Sequence, residues 1–183
     1  MFITCLSLAD LLLIEPRVFR DARGVFWESY RRSHYVASGI DVEFVQDNVS
    51  ISRKNTVRGL HYQGAQAKLV SVLSGAILDV AVDIREDSKT FGKHVAIELN
   101  DRNRRQLFIP DGFAHGFCVL SKSAIVQYKV SAVYNPEKEG AIRWNDPFLN
   151  IAWPVSDPIL SERDRSSPFF HERFFHACVG AGR

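Results

Sequence analysis

Apolar and polar residues alternate along much of the chain in short runs separated by turn residues. The pattern is clearest in Ile77–Ile84, where Leu78, Val80, Val82 and Ile84 share one parity and Asp79 and Asp83 the other. Successive side chains of a strand point to opposite faces, so this segment is expected to be a strand with one face in a core. Comparable runs predict strands at Val25–Tyr30, just after the turn Asp21-Ala22-Arg23-Gly24, and at Phe44–Ser52, Thr56–Gln63 and Lys68–Leu73. Ala76–Ile84, His94–Leu99, Gln106–Ile109, Gly116–Leu120 and Ala124–Val130 follow. Helical periodicity is weak; Tyr30–Ser38 and a stretch from Ser161 are the two candidates for short helices. Many evenly spaced strands with few helices indicate a sandwich or barrel. The predicted class is all-β, a jelly roll or double-stranded β-helix with short peripheral helices. No linker, repeat or composition break divides the chain, so one domain over residues 1–183 is expected.

Composition narrows the function classes. Apolar residues make up 46% of the 183, enough for a sizeable core. The net charge is only +2, and Arg31-Arg32 and Arg104-Arg105 are isolated pairs best read as solvated strand ends. That excludes the basic footprint of a nucleic-acid binder. Cys5, Cys118 and Cys178 are widely spaced and form no CxxC pair, which argues against a zinc ribbon and fits free thiols in a reducing cytoplasm. Asp10 interrupts the apolar N-terminal stretch, no basic region precedes it, and no leader is expected. Nothing approaches the ~18 apolar residues of a membrane span.

Two segments carry the chemistry. Arg58-Gly59-Leu60-His61-Tyr62-Gln63 is followed by Lys68 and, six residues further on, Gly75; Pro110-Asp111-Gly112-Phe113-Ala114-His115 comes later. Their spacing resembles the two cupin motifs. His61 and His115 stand at histidine positions, Gln63 at the second His, Lys68 at the Glu, and Arg104 where a Gly usually opens the second motif. A divalent cation needs neutral imidazole, carboxylate or thiolate donors. An ammonium has three donors and no lone pair, so Lys68 turns a metal site into an oxyanion site. No metal is expected. A lone His in a strand is more often structural and a lone Lys more often solvated; the joint spacing is what favours the functional reading.

Longer blocks extend the likeness. They are Arg23-Gly24-x-Phe26-x-Glu28, Phe44-Val45-Gln46-Asp47-Asn48, Val57-Arg58-Gly59-Leu60-His61 and Phe108 to Phe117. Tyr128-Lys129, Tyr134-Asn135-Pro136 with Glu139, Ile142 to Pro147 and Leu160 to Asp164 complete them. Together they resemble the dTDP-4-dehydrorhamnose 3,5-epimerase family from about Leu11 to Pro168; the tail 169–183 matches nothing usable. The resemblance implies a cofactor-free isomerase acting on a dTDP-4-keto-6-deoxyhexose. It inverts C3 and C5 by proton abstraction alpha to the C4 ketone and reprotonation from the opposite face. His61 is then the base, Asp164 the carboxylate that orients it, Tyr128 the acid, and Lys68, with His115, the oxyanion stabiliser. Arg23, Glu28, Gln46, Asp47, Asn48, Arg58, Glu139 and Arg163 fall at substrate-binding positions, and Tyr134 at the aromatic that stacks on thymine.

Each residue also has a bland reading. Asp164 after Ser161 looks like a helix cap, Tyr128 on the apolar parity of its strand looks like core, and Gln46, Asn48, Ser50 and Ser52 look like a solvent face. By simple alternation Arg58 and His61 belong to opposite faces. Arg163 stands where the family usually has Lys, and the two differ in geometry. A homodimer is implied, with the apolar segment Leu11–Ile14 expected to add a strand to a partner's sheet and cover its edge. The alternatives are a mono-epimerase of a related dTDP-4-keto sugar and a non-catalytic sugar-nucleotide-binding cupin. Pure binding needs no opposed acid and base, and Gln63 with Lys68 disfavours a metal-dependent dioxygenase.

Overall fold

The computed structural model describes residues 1–175. The strands are β1 (Phe2–Cys5), β2 (Leu12–Glu15), β3 (Val18–Asp21), β4 (Gly24–Trp27), β5 (Gln46–Arg53), β6 (Val57–Gln63) and β7 (Lys68–Ser74). They continue with β8 (Ala76–Asp83), β9 (His94–Asn100), β10 (Gln106–Ile109), β11 (Phe113–Val119), β12 (Ser123–Val130) and β13 (Glu139–Ala141). Three short helices, α1 (Arg32–Val36), α2 (Glu162–Ser166) and α3 (Phe170–Phe174), lie among them.

Two antiparallel sheets face each other. One has the order β1-β2-β10-β7-β12-β5 and the other β13-β6-β11-β8-β9; β3 and β4 form a separate hairpin. Between the sheets lies a core that includes Val70, Val72, Ala81, Leu107, Phe117 and Val126. Each fully buried aliphatic or aromatic side chain of this kind contributes about 1.5–3 kcal/mol of transfer free energy. The architecture is the all-β, cupin-type jelly roll that the alternation predicts.

Strand β8 departs from the expected pattern in an instructive way. Both of its faces are buried. Ile77 and Ala81 belong to the core between the sheets, whereas Val80 and Val82 pack in a second cluster with Leu60, Ile142 and Phe170. The parity that carries Asp79 and Asp83 therefore points into the barrel, not into solvent. Asp83 gathers Arg85, Ser88 and Thr90 around its carboxylate. Burial opposes the charge of Asp83, but these hydrogen bonds outweigh it and hold the carboxyl far below its usual range.

The N-terminal expectation is corrected. Leu12–Glu15 pairs with β10 and β1 of its own chain, and Leu11 and Ile14 are fully buried there. The segment cannot cover a partner's edge because it is interior to its own sheet; β1 is the edge strand. Helix α1 is shorter than Tyr30–Ser38 but buries Tyr35, whose hydroxyl donates to Gln106. The strand expected over Val25–Tyr30 stops at Trp27, after which Glu28 pairs with Arg31 and His34. Arg104 has φ +57°, the left-handed region that a Gly at that motif position would occupy freely, and its guanidinium stacks on Trp27 at 4.1 Å, so it is not a solvated strand end. The first residues of the tail join the fold through Phe170, fully buried in the second cluster.

Candidate active site

A cavity of about 350 Å³ opens between the two sheets. Most of the expected residues line it: Gln46, Asn48, Arg58, His61, Lys68, His115, Tyr128, Tyr134, Glu139, Arg163 and Asp164. The parity of β5 is thus inward for Gln46, Asn48 and Ser50, not a solvent face.

Arg58 and His61 share the cavity because β6 is bulged. Arg58 pairs with Phe117 of β11 and His61 with His115, so Gly59 and Leu60 together oppose the single residue Gly116. The extra residue returns both side chains to one face. Gly59 has φ +123°, and a Cβ there would lie 2.5 Å from the Gly116 Cα, so only glycine fits. Arg58 Nε donates to Ser52 Oγ at 3.0 Å.

His61 Nε2 lies 2.5 Å from Asp164 Oδ1. Ser161 caps α2 by accepting from the Asp164 backbone N–H at 3.1 Å, and this turn carries the Asp164 side chain inward. The cap and the dyad are therefore compatible: Ser161 does the capping and Asp164 faces histidine. Burial opposes the Asp164 charge, but hydrogen bonds with His61, Ser161 and the Gly59 backbone prevail and hold the carboxyl below the usual range. An ionised Asp164 accepts from Nε2–H, which leaves Nδ1 as the basic nitrogen of His61.

Lys68 begins β7 and is only 7% exposed. Its Nζ donates to the His61 carbonyl at 3.1 Å. Burial pushes its ammonium down to about 8, with Asp79 and Glu139 pulling the other way. Tyr128 lies on β12, in the sheet facing that of His61. Burial raises its phenol above the ordinary value, Arg58 opposes this and Glu139 adds to it, so the hydroxyl keeps its proton at neutral pH. At the mouth, Glu139 accepts from Tyr134 Oη at 2.9 Å and from Arg163 at 2.7 Å, while Tyr134 stays 55% exposed. Gln46 supports this rim by accepting from the Tyr134 backbone N–H.

Three expected residues lie elsewhere. Asp47 has the outward parity of β5 and pairs with Lys129. Arg23 sits in the β3–β4 turn, exposed and paired with Asp21. Glu28 lines a second cavity beside Phe19, Phe26 and Arg31. Gln63 is also turned away: its amide donates to the Val133 carbonyl and accepts from the Asn135 N–H, anchoring that loop. No group of three or more His, Cys, Asp or Glu side chains is gathered for a metal among the described residues. The residue missed by sequence reasoning is Asp79, whose carboxylate faces His115 Nε2 at 2.9 and 3.0 Å. Its signal was the acidic parity of β8, which reads as solvent-facing until both faces are known to be buried.

The sequence profile of dTDP-4-dehydrorhamnose 3,5-epimerase matches residues 5–172. The chain belongs to the dTDP-4-dehydrorhamnose 3,5-epimerase family. It is 52% identical to such an epimerase from Pseudomonas aeruginosa over 171 residues, covering 91% of this chain and 94% of that protein. An epimerase structure from Bacillus anthracis with TDP and PPi bound superposes with a TM-score of 0.90 at 46% identity, over 92% of this chain and 98% of the other. One from Legionella pneumophila, in complex with dTDP-4-keto-L-rhamnose, gives 0.89 at 46% identity over 92% of each chain. Within this epimerase family the chain has an imidazole–carboxylate dyad and a phenol on opposite walls of one cavity, with a buried ammonium alongside. That arrangement can remove a proton on one side of a substrate and supply one on the other.

Proposed function

We propose that the protein converts dTDP-4-keto-6-deoxyglucose to dTDP-4-keto-rhamnose by inverting C3 and C5. The observation that carries this reading is the placement of His61, paired with Asp164 of α2, and of Tyr128 on facing sheets of one cavity that also holds Lys68. The C4 ketone acidifies the hydrogens on both neighbouring carbons. His61 Nδ1 takes one as a proton, and the electron pair moves onto the C4 oxygen. Lys68 donates to that oxyanion, where a buried donor is worth more than in water. Tyr128 protonates the carbon from the other face, and solvent resets both groups. Arg58, with Nε committed to Ser52, turns its remaining nitrogens to the diphosphate, and Tyr134 offers its exposed ring to thymine. Arg163, Glu139, Gln46, Asn48 and His115 complete the contacts to substrate.

The test is incubation with dTDP-4-keto-6-deoxyglucose in heavy water. Deuterium is expected at both C3 and C5 of the product, one position labelling faster than the other. Label at one carbon only, after prolonged incubation, would establish a mono-epimerase. Label at neither, with nucleotide-sugar binding intact, would mean a binding protein.

A cytoplasmic homodimer is part of the same reading. Support for the compartment is that Cys5 and Cys118 are free thiols. Support for the dimer is the β3–β4 hairpin, which leaves Phe19 and Phe26 exposed and carries Arg23 at its turn, with Glu28 just beyond β4. Insertion of that hairpin toward a partner's cavity would bury the aromatics and let Arg23 and Glu28 reach substrate. Mixing an Arg23→Ala chain with a His61→Asn chain, each nearly inactive alone, should then restore about one quarter of wild-type activity through mixed dimers. A monomer by light scattering, or no recovery on mixing despite subunit exchange, would refute it.

A further inference from the structure

We propose that Asp79 is a positioning residue of this reaction, holding the His115 ring and the Lys68 charge around the oxygen that becomes negative. The proposal rests on the epimerase reading above.

Asp79 lies mid-strand on β8, opposite Phe117 of β11, and Phe117 and His115 line the cavity from the same face. The carboxylate is 0% exposed, and its side-chain hydrogen bonds among the described residues are the two with His115 Nε2. Burial of a carboxylate is costly, and a buried ion pair is often no more stabilising than apolar residues of the same volume. Packing therefore gives no reason for an acid here, whereas the reaction does. An ionised Asp79 accepts from Nε2–H and, by sitting nearly equidistant with both oxygens, fixes the ring about its axis. Nδ1 is then the nitrogen available to the cavity.

Asp79 also acts on Lys68. The charged and titratable groups that share the cavity with that ammonium or act on it are Arg58 and His61 on β6, Asp79 on β8, His115 on β11, Tyr128 on β12, Tyr134 at the rim, Glu139 on β13, and Arg163 and Asp164 on α2. Burial lowers the Lys68 ammonium to about 8, and Asp79 followed by Glu139 resists that loss. Glu139 already serves Arg163 and Tyr134. Asp79 has His115 alone, so its charge is the less divided of the two. One carboxylate thereby serves both groups expected at the C4 oxygen.

Asp79→Asn removes the charge while its amide oxygen can still accept from Nε2–H. Steady-state kinetics with dTDP-4-keto-6-deoxyglucose across pH should show kcat lower on the order of 10²-fold or more, with KM close to wild type. The alkaline limb of kcat should move to lower pH, because Lys68 loses support for its proton. A purely structural role would lower thermal stability and leave that limb in place. Wild-type kcat with an unmoved limb overturns the proposal, as does an unmoved limb with only a lower melting temperature. Should Asp79→Asn not fold, His115→Asn is the second variant. It should lower kcat while the alkaline limb stays, since Asp79 remains; wild-type kcat there also overturns the proposal. Solvent exchange by the wild-type enzyme is measured alongside, and its absence would bring down the epimerase reading and this proposal with it.

Discussion

His61→Asn should abolish both solvent hydrogen exchange at C3 and C5 and formation of the inverted product, with kcat falling by at least ~10²–10⁴. Asparagine keeps a donor for Asp164 but has no basic nitrogen, so the fold and nucleotide affinity should survive. Tyr128→Phe should separate the two events. Inversion falls by a similar factor, yet some exchange persists, because His61 can remove a proton and return a solvent-derived one to the same face. Phenylalanine suits the half-buried site, which already packs against the core between the sheets. The measurement is deuterium incorporation by mass spectrometry beside product stereochemistry by NMR. Equal and mild effects of the two substitutions would mean that the base and acid have been assigned wrongly.

Lys68→Gln should lower kcat by about 10²–10³ with a smaller change in KM, since its donor matters most once negative charge has developed on oxygen. Lys68→Arg should recover little. The Lys68 side chain is nearly enclosed and its Nζ is fitted to the His61 carbonyl, and a planar guanidinium does not occupy the same space. The pH profile provides an independent check. An ammonium lowered to about 8 is charged below that pH and neutral above it. Wild-type kcat should therefore fall as pH rises through about 8. A flat profile to pH 10 would remove Lys68 from the rate-determining charge stabilisation.

The central strands were legible because alternation and turn residues agree from Phe44 to Val130. The four-residue strands β1, β2 and β3 are too short to show a period, and their pairing partners lie far off in sequence, as β2 with β10 illustrates. Of the site, His61, Lys68, His115, Tyr128 and Asp164 could be read from motif spacing and family likeness, and the structure brings them to one cavity. Asp79 is not legible in the sequence because a strand buried on both faces gives an inward acid the same pattern as an outward one. Arg58 and His61 looked incompatible because strict alternation contains no bulge. Asp47 stands at a substrate-binding position by family likeness alone, and its side chain has the outward parity of β5 and pairs with Lys129.

The bulge at Gly59 and Leu60 has a consequence for how this site can change over generations. Arg58 and His61 are held on one wall by a local misalignment of two strands, and that misalignment exists only while Gly59 and Gly116 remain without side chains. A Cβ on Gly116 would approach the Arg58 carbonyl to 2.7 Å, much as one on Gly59 would strike Gly116. Neither position can change alone, and neither is among the residues that line the cavity. Sterically the two glycines form one unit, so that swapping segments among relatives should preserve the joint only when both glycines travel together. Surveys that weigh residues by their distance to a ligand would pass over them, although the register they maintain decides which side chains the ligand meets.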